Sequence, residues 1–106
     1  MKDKVNILFV CGYGVGSSAI SETIVKKALN ACNIESELKH TSVGEMSQFK
    51  EWADIICISK KLAEGVDLKS YSDKDVLEIV NIMDGKTIAS DVEKIVVEKY
   101  PNAKKQ

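Results

Sequence analysis

Residues 5–18 read VNILFVCGYGVGSS, and this stretch decides the fold. Its first half, Val5 to Val10, is apolar at every position except Asn6, which is typical of a central strand buried on both faces. Its second half places Cys11 at the end of that strand and adds three alternating glycines and two serines. Because a helical pattern begins at Ala19, the stretch predicts a strand–loop–helix unit with Cys11 at the bend.

The rest of the chain continues this alternation of strands and helices. The first helix is predicted over 19–32, with Ser17 or Ser18 as its N-cap, a surface pair between Glu22 and Lys26, and Asn33 at its end. The pattern then predicts a charged edge strand over 34–41, a short helix around 46–53, a central strand over 55–58, a helical turn over 60–64, a strand over 76–82, a helix over 88–100 and a loose tail over 102–106.

This order of elements predicts an α/β fold. Strands that alternate with helices form a parallel sheet, and the right-handed crossover rule with one polar strand favours an open four-stranded sheet of order 2-1-3-4, with helices on both faces. The chain then leaves the first strand towards opposite sides of the sheet. Ligands bind at the carboxyl ends of the strands at such a switch point, which is where Cys11 is predicted to lie.

Length and composition restrict the class of protein. The 106 residues suit one domain over 1–106, and 44% hydrophobic with 29% charged residues indicate a soluble globular chain. A net charge of −1 argues against a nucleic-acid partner. We expect a cytoplasmic protein, because no stretch resembles a signal peptide or approaches the length of a membrane span.

The loop over 11–18 has the parts of an anion site that could also activate a cysteine. Glycines at 12, 14 and 16 let main-chain N–H groups turn inward, and the start of the next helix adds free donors and a partial positive charge. These groups suit a phosphate and lower the pKa of a cysteine at the same place. The loop can therefore activate Cys11 as a nucleophile and hold a phosphoryl group with the residues that follow it, Gly12, Tyr13, Gly14, Val15, Gly16, Ser17 and Ser18.

Three phosphate-binding chemistries compete for this loop. Dinucleotide binding requires a glycine where Ser17 stands, and a nucleoside-triphosphate loop requires a lysine that 11–18 lacks. The third is cysteine phosphatase chemistry, because the loop resembles that of low-molecular-weight tyrosine phosphatases, with Ser18 at the hydroxyl position. Ser17 replaces the arginine of that pattern, and arginine is what clamps the transferring phosphoryl group. A carrier that passes the group on, a small phosphatase, and an anion-binding module in which Cys11 is incidental all stay open on the residues alone.

The chain resembles the IIB components of the bacterial phosphoenolpyruvate-dependent sugar phosphotransferase system, of the ascorbate and galactitol type. The pattern Cys11-Gly12-x-Gly14-x-Gly16-Ser17-Ser18 after an apolar strand carries the resemblance, and the segments 43–45 and 53–56 extend it over about 5–100. It implies a phosphotransferase in which Cys11 takes a phosphoryl group from a phosphohistidine of a IIA protein. The group would then pass to a sugar held by the IIC permease, at the inner face of the membrane and without a cofactor.

The other reactive side chains are not assigned a catalytic role. Cys32 and Cys57 are predicted core thiols, and the spacing of the three cysteines with His40 does not fit a metal site. His40 is predicted simply to end a strand. Lys60 and Lys61 follow the third strand and should lie at the same end of the sheet as Cys11, where they would attract a phosphoryl donor or form a solvated loop.

Overall fold

The computed structural model describes residues 3–11, 15–66, 68–80 and 84–104, with Cys11, 15–21 and Leu68 described by their backbone alone. In these ranges the elements are β1 (Val5–Cys11), α1 (Val15–Ala31), β2 (Ser36–Ser42), β3 (Ile55–Ser59), α2 (Lys60–Ala63), β4 (Asp75–Ile79) and α3 (Gly85–Lys99). Short 3₁₀ helices add Val43–Phe49, Leu68–Tyr71 and Pro101–Ala103. The helix predicted around 46–53 is thus a 3₁₀ helix that begins earlier, and the helical turn predicted over 60–64 is α2.

The strands form an open parallel sheet of order β2-β1-β3-β4, as predicted. β1 pairs with β2 along its whole length, from Val5 opposite Ser36 to Cys11 opposite Ser42. On its other side β1 pairs with β3, from Ile7 opposite Ile55. The sequence prediction of a central first strand and a polar edge strand is therefore confirmed.

Alternate residues of β1 pack into two separate hydrophobic cores, one on each face of the sheet. Val5, Ile7 and Phe9 face the helices α1 and α3, where they pack with the buried residues Val25, Leu29, Ile88, Val92 and Val96. Leu8 and Val10 face the opposite side, where the buried residues are Met46, Ala53, Ala63 and Tyr71. A strand covered on both faces must be apolar at nearly every position, which is the pattern that the sequence shows.

Asn6 is the polar exception in this strand, and the structure explains it. Its side-chain amide donates to the main-chain oxygen of Trp52 at 2.9 Å, and its main-chain N–H donates to Asp54 Oδ2 at 2.9 Å. The Asp54 N–H returns a bond to the main-chain oxygen of Asn6 at 2.8 Å. Asn6 therefore ties the segment before β3 to β1 and is hydrogen-bonded where it is half-buried.

The predicted start of α1 was wrong, and its predicted end is confirmed. The helix begins at Val15 rather than Ala19, so Ser17 and Ser18 lie in its first turn and neither is the N-cap. At the other end Asn33 adopts a left-handed conformation with φ of 61°, and the Ile34 N–H bonds to the Leu29 oxygen at 3.0 Å. Asparagine tolerates this conformation well, which confirms the predicted stop.

Two predictions in the C-terminal half of the chain were wrong, the end of the last strand and the loose tail. β4 ends at Ile79, and the next residue, Val80, is 87% exposed, while Ile82 lies outside the described residues. The tail is not loose over 102–104, because Ala103 is fully buried, its oxygen accepts from the Glu35 N–H at 2.7 Å, and Lys104 forms an isolated bridge with Ile34. The segment is ordered despite its polar composition, because one small residue is buried and two backbone contacts hold it.

Gly85 sits where α3 meets α1. It is buried, and a Cβ at this position would overlap Ile24 Cγ2 and lie 3.4 Å from Ile24 Cβ. Ile24 is β-branched and stiff in a helix, so it cannot easily turn away. Glycine at 85 thus sets how closely the start of α3 approaches the middle of α1.

We predict that Gly85→Ala lowers the free energy of unfolding by about 1–3 kcal/mol, the usual cost of overpacking. Urea unfolding followed by fluorescence of the single Trp52 measures the change. In an Ile24→Ala background the same substitution should cost clearly less, because the overlapping methyl group is gone. Gly44→Ala is the matched control, since a Cβ there meets no atom within 4 Å. Equal effects of the two glycine substitutions would contradict the close-approach account.

Candidate functional site

The candidate site lies at the carboxyl edge of the sheet, where the four parallel strands end. β1 ends at Cys11, directly opposite Ser42 at the end of β2, and β3 ends at Ser59 beside Ile79 of β4. Each strand is followed by a helical segment that starts at this same edge. The predicted position of Cys11, at the end of the central strand, is therefore confirmed for its backbone.

The predicted phosphate loop is described in part. Gly12, Tyr13 and Gly14 lie outside the described residues. The remaining predicted residues, Val15, Gly16, Ser17 and Ser18, form the first turn of α1, and their backbone alone is described. Their main-chain N–H groups belong to the helix terminus, which has no intrahelical acceptors for them.

The two long helices that begin at this edge have no acidic residue in their first turns but differ in the residue before them, which is Asp84 for α3 and a glycine, by sequence, for α1. α3 has its own anion, because Asp84 accepts from the Thr87 N–H at 3.2 Å and from Thr87 Oγ1 at 2.8 Å. The first turn of α1 has no acidic residue. Since a helix N-terminus favours negative charge, α1 has room for an external anion where α3 has an internal one.

Charge around the edge agrees with this difference. A groove of ≈ 350 Å³ between β4 and the start of α3 is lined by three acidic residues, Glu78, Asp84 and Asp91, which disfavour a phosphate. At the end of β3, Lys60 and Lys61 begin α2 and are exposed. The prediction that both lysines lie at the same end of the sheet as Cys11 is confirmed.

Two long side chains of α1 reach the edge strand β2, an arrangement that the sequence prediction missed. His40 Nδ1 donates to Glu22 Oε2 at 2.6 Å, and the Lys26 ammonium donates to the main-chain oxygen of Ser36. The predicted surface pair of Glu22 with Lys26 is therefore wrong, because each residue binds β2. The alternation of β2, which places His40 on the same face as Leu38 and Ser36, was the one signal that could have suggested these contacts.

The two remaining thiols differ in their surroundings. Cys57 is buried in mid-strand, and burial, with Asp91 nearby, raises the pKa of its thiol to about 12. Cys32 is half-buried against the core. Lys104, and to a smaller extent the Cys32 thiol, lower the pKa of Glu93. The prediction of a core thiol is confirmed for Cys57 and holds in part for Cys32.

Neither a metal site nor a membrane-spanning helix occurs within the described residues 3–11, 15–66, 68–80 and 84–104. No group of three or more His, Cys, Asp or Glu side chains there is arranged to bind a metal ion. No described helix combines the length and apolar character needed to cross a bilayer.

Comparison with known proteins identifies the family. The family model "PTS system, Lactose/Cellobiose specific IIB subunit" matches residues 6–96. The chain belongs to the IIB family of the sugar phosphotransferase system. The resemblance read from the loop over 11–18 is thereby confirmed, and the protein is a component of sugar phosphotransfer.

Relatives of this IIB chain carry a narrower name. It is 31% identical over 97 residues to the ascorbate-specific PTS system EIIB component of Shigella dysenteriae, a match that covers 92% of this chain and 94% of the relative. The protein of the same name from Salmonella typhimurium is 30% identical over the same length.

A solved structure shares the fold. The lactose-specific IIB domain of Streptococcus pneumoniae superposes with a TM-score of 0.61 at 16% sequence identity, and the match covers 92% of this chain and 98% of that one. At this identity the likeness concerns the architecture. It agrees with the four-stranded parallel sheet described above.

We predict that Cys57 does not react with iodoacetamide in the folded protein at pH 8. Its raised pKa leaves almost no thiolate at that pH, and burial blocks access. Peptide mass spectrometry should show Cys57 unmodified under native conditions and fully modified in denaturing urea. Alkylation of Cys57 in the native protein, at a rate matching that in urea, would contradict the packing described here.

Proposed function

We propose that this IIB protein carries a phosphoryl group on Cys11, which it receives from a phosphohistidine of a IIA protein and passes to a sugar bound by a IIC permease. One observation supports this above the others. In a chain of the IIB family, Cys11 ends the central strand just before a long helix whose first turn contains no acidic residue. The charge of a phosphoryl group has no competing carboxylate in that turn.

The transfer consists of two displacements at phosphorus. In the first, the Cys11 thiolate forms an S–P bond while the N–P bond of the phosphohistidine breaks, and the imidazole takes the electron pair. In the second, a sugar hydroxyl forms an O–P bond, the S–P bond breaks, and the thiolate leaves with its electrons. The hydroxyl proton passes to a base on the permease side or to water.

The loop would hold the phosphocysteine between these steps. In this proposal the main-chain N–H groups of 12–18 bind the phosphoryl oxygens, and the hydroxyls of Ser17 and Ser18 add donors. The absence of an arginine from 11–18 favours holding the group over rapid hydrolysis. The acceptor sugar arrives with a partner protein, so the loop needs no residue that activates water.

The names of the relatives support a proposal for the sugar. Since the relatives that span nearly the whole chain are named ascorbate-specific, we propose ascorbate as the sugar that IIC holds. We propose that residues 1–106 act as one cytoplasmic IIB domain, which meets the inner face of the membrane only through IIC. Lys60 and Lys61 at the site edge would help attract the phosphorylated donor.

A phosphatase would use the same residues but would behave differently with a phosphate ester. It requires steady turnover of an aryl phosphate that depends on Cys11, whereas a carrier should form at most one adduct per molecule. An anion-binding module would keep its function in Cys11→Ser. Neither alternative accounts for membership of the IIB family.

We predict that incubation with phosphoenolpyruvate, the general phosphotransferase proteins and the cognate IIA adds one phosphoryl group to Cys11. Mass spectrometry of the intact protein and of its peptides measures the adduct. Cys11→Ser should abolish it, because the thiolate nucleophile is gone. Cys32→Ser and Cys57→Ala are the matched controls and should be phosphorylated at the normal rate.

The outcome depends on which residue is modified. Absence of an adduct from the wild-type protein with an active IIA, or an adduct that persists in Cys11→Ser, would overturn the proposal. Cys11-dependent release of aryl alcohol over many turnovers would instead favour the phosphatase. With the adduct formed, transfer to ascorbate against lactose in IIC-containing vesicles tests the sugar.

A further inference from the structure

We infer that Glu22 and His40 form a positioning pair that holds the start of α1 against the end of β1 and β2, and so tunes the reactivity of Cys11. The inference rests on the proposed role of Cys11 and adds two residues that the sequence motif does not include. Its basis is the 2.6 Å contact between Glu22 Oε2 and His40 Nδ1, which joins the helix to the edge strand.

Glu22 and His40 lie near the ends of α1 and β2 that are closest to Cys11. Glu22 is seven residues into α1, which places it about 10 Å along the axis from Val15. His40 is two residues before Ser42, the register partner of Cys11, and therefore about 7 Å from the end of β2. Movement at this pair is passed directly to the first turn of the helix.

A second polar contact joins α1 to β2. Lys26, one turn after Glu22, donates to the Ser36 oxygen, four residues before His40. The helix and the edge strand are thus joined at two points in opposite order along the chain. Together with the packing of Val25 and Leu29 in the core, these two contacts fix the position of α1 along β2 and its angle to the strand.

A third contact holds the same segment from the other side. Ile24 lies between Glu22 and Lys26 in sequence and meets Gly85 of α3 at close range. The span 22–26 is therefore fixed by β2 through polar contacts and by α3 through packing. The first turn of α1 extends from this fixed span towards the site.

The reactivity of Cys11 should depend on this geometry. A helix terminus stabilises a thiolate through its free N–H groups and its partial charge, and the effect falls off within the first turn. A shift of the helix start of about 1 Å can alter a transfer rate strongly. The pair itself is partly exposed, at 26% for Glu22 and 37% for His40, so it adds little to stability.

The test compares Glu22→Ala, His40→Ala and the double variant in the full chain. Cys11 reactivity is measured as the iodoacetamide rate against pH, followed on the Cys11 peptide, and transfer as the rate of phosphorylation by IIA. We expect each single variant to lower the alkylation rate at pH 7 about two- to fivefold through a raised Cys11 pKa, with transfer lowered in parallel. The double variant should be no worse than the singles, because the pair acts as a unit.

Two further variants separate positioning from a general loss of structure. His40→Asn places an amide nitrogen where Nδ1 stands and should restore both rates to within about twofold of wild type, because the hydrogen bond to Glu22 is kept. Asp75→Ala breaks the 2.7 Å contact with Lys99, a comparable surface pair at the opposite end of the sheet, and should change neither rate. Thermal melting of every variant is recorded alongside.

The results distinguish this inference from the proposed function. Wild-type alkylation and transfer rates in Glu22→Ala and His40→Ala, or an equal loss in Asp75→Ala, overturn the positioning role even if Cys11 is phosphorylated. A two- to fivefold drop in alkylation that His40→Asn restores supports the pair even if no phosphoryl group is accepted, in which case the proposed function alone fails. Loss in His40→Ala without recovery in His40→Asn also overturns it.

Discussion

The pairing of β1 with a parallel strand on each side is the constraint on which the rest of the structure depends. With β2 on one side and β3 on the other, β1 lies inside the sheet, and each of its faces must be covered by apolar side chains. The chain leaves β1 for one side through α1 and reaches the other side later through β3. The end of β1 is therefore the switch point of the sheet, the place where open parallel sheets bind their ligands, and Cys11 occupies that point.

Much of this architecture could be predicted because it follows from local patterns. The apolar runs at 5–10 and 55–58 are each long enough for one strand and too short for a helix, and the charged alternation of β2 marks an edge. The end of α1 at Asn33 follows from the conformational freedom of one residue type. The start of α1 could not be placed, because glycine and serine are weak helix formers and their preference is overridden once the helix packs.

Contacts between elements distant in sequence account for the other differences. Ala103 is buried in the core that also contains Ile34 and Val96, and local composition does not reveal that contact. Glu22 satisfies the spacing for a pair with Lys26, yet a partner on β2 proved available to each. Spacing within a helix predicts which side chains are neighbours, and it says nothing about which of them the adjacent strand will bind.

The edge strand β2 has an open side, and its surroundings limit what can bind there. Lys26 occupies a main-chain oxygen of Ser36, and Lys39 lies over the rings of Trp52 and Phe49 at 4.7 Å and 5.7 Å. A further strand from another molecule would have to displace the first ammonium and approach a row of alternating charges, which natural sheets use to prevent edge-to-edge aggregation. The proposed carrier meets a donor and then an acceptor, so it needs surfaces that release each partner, and this side of the sheet resists permanent association.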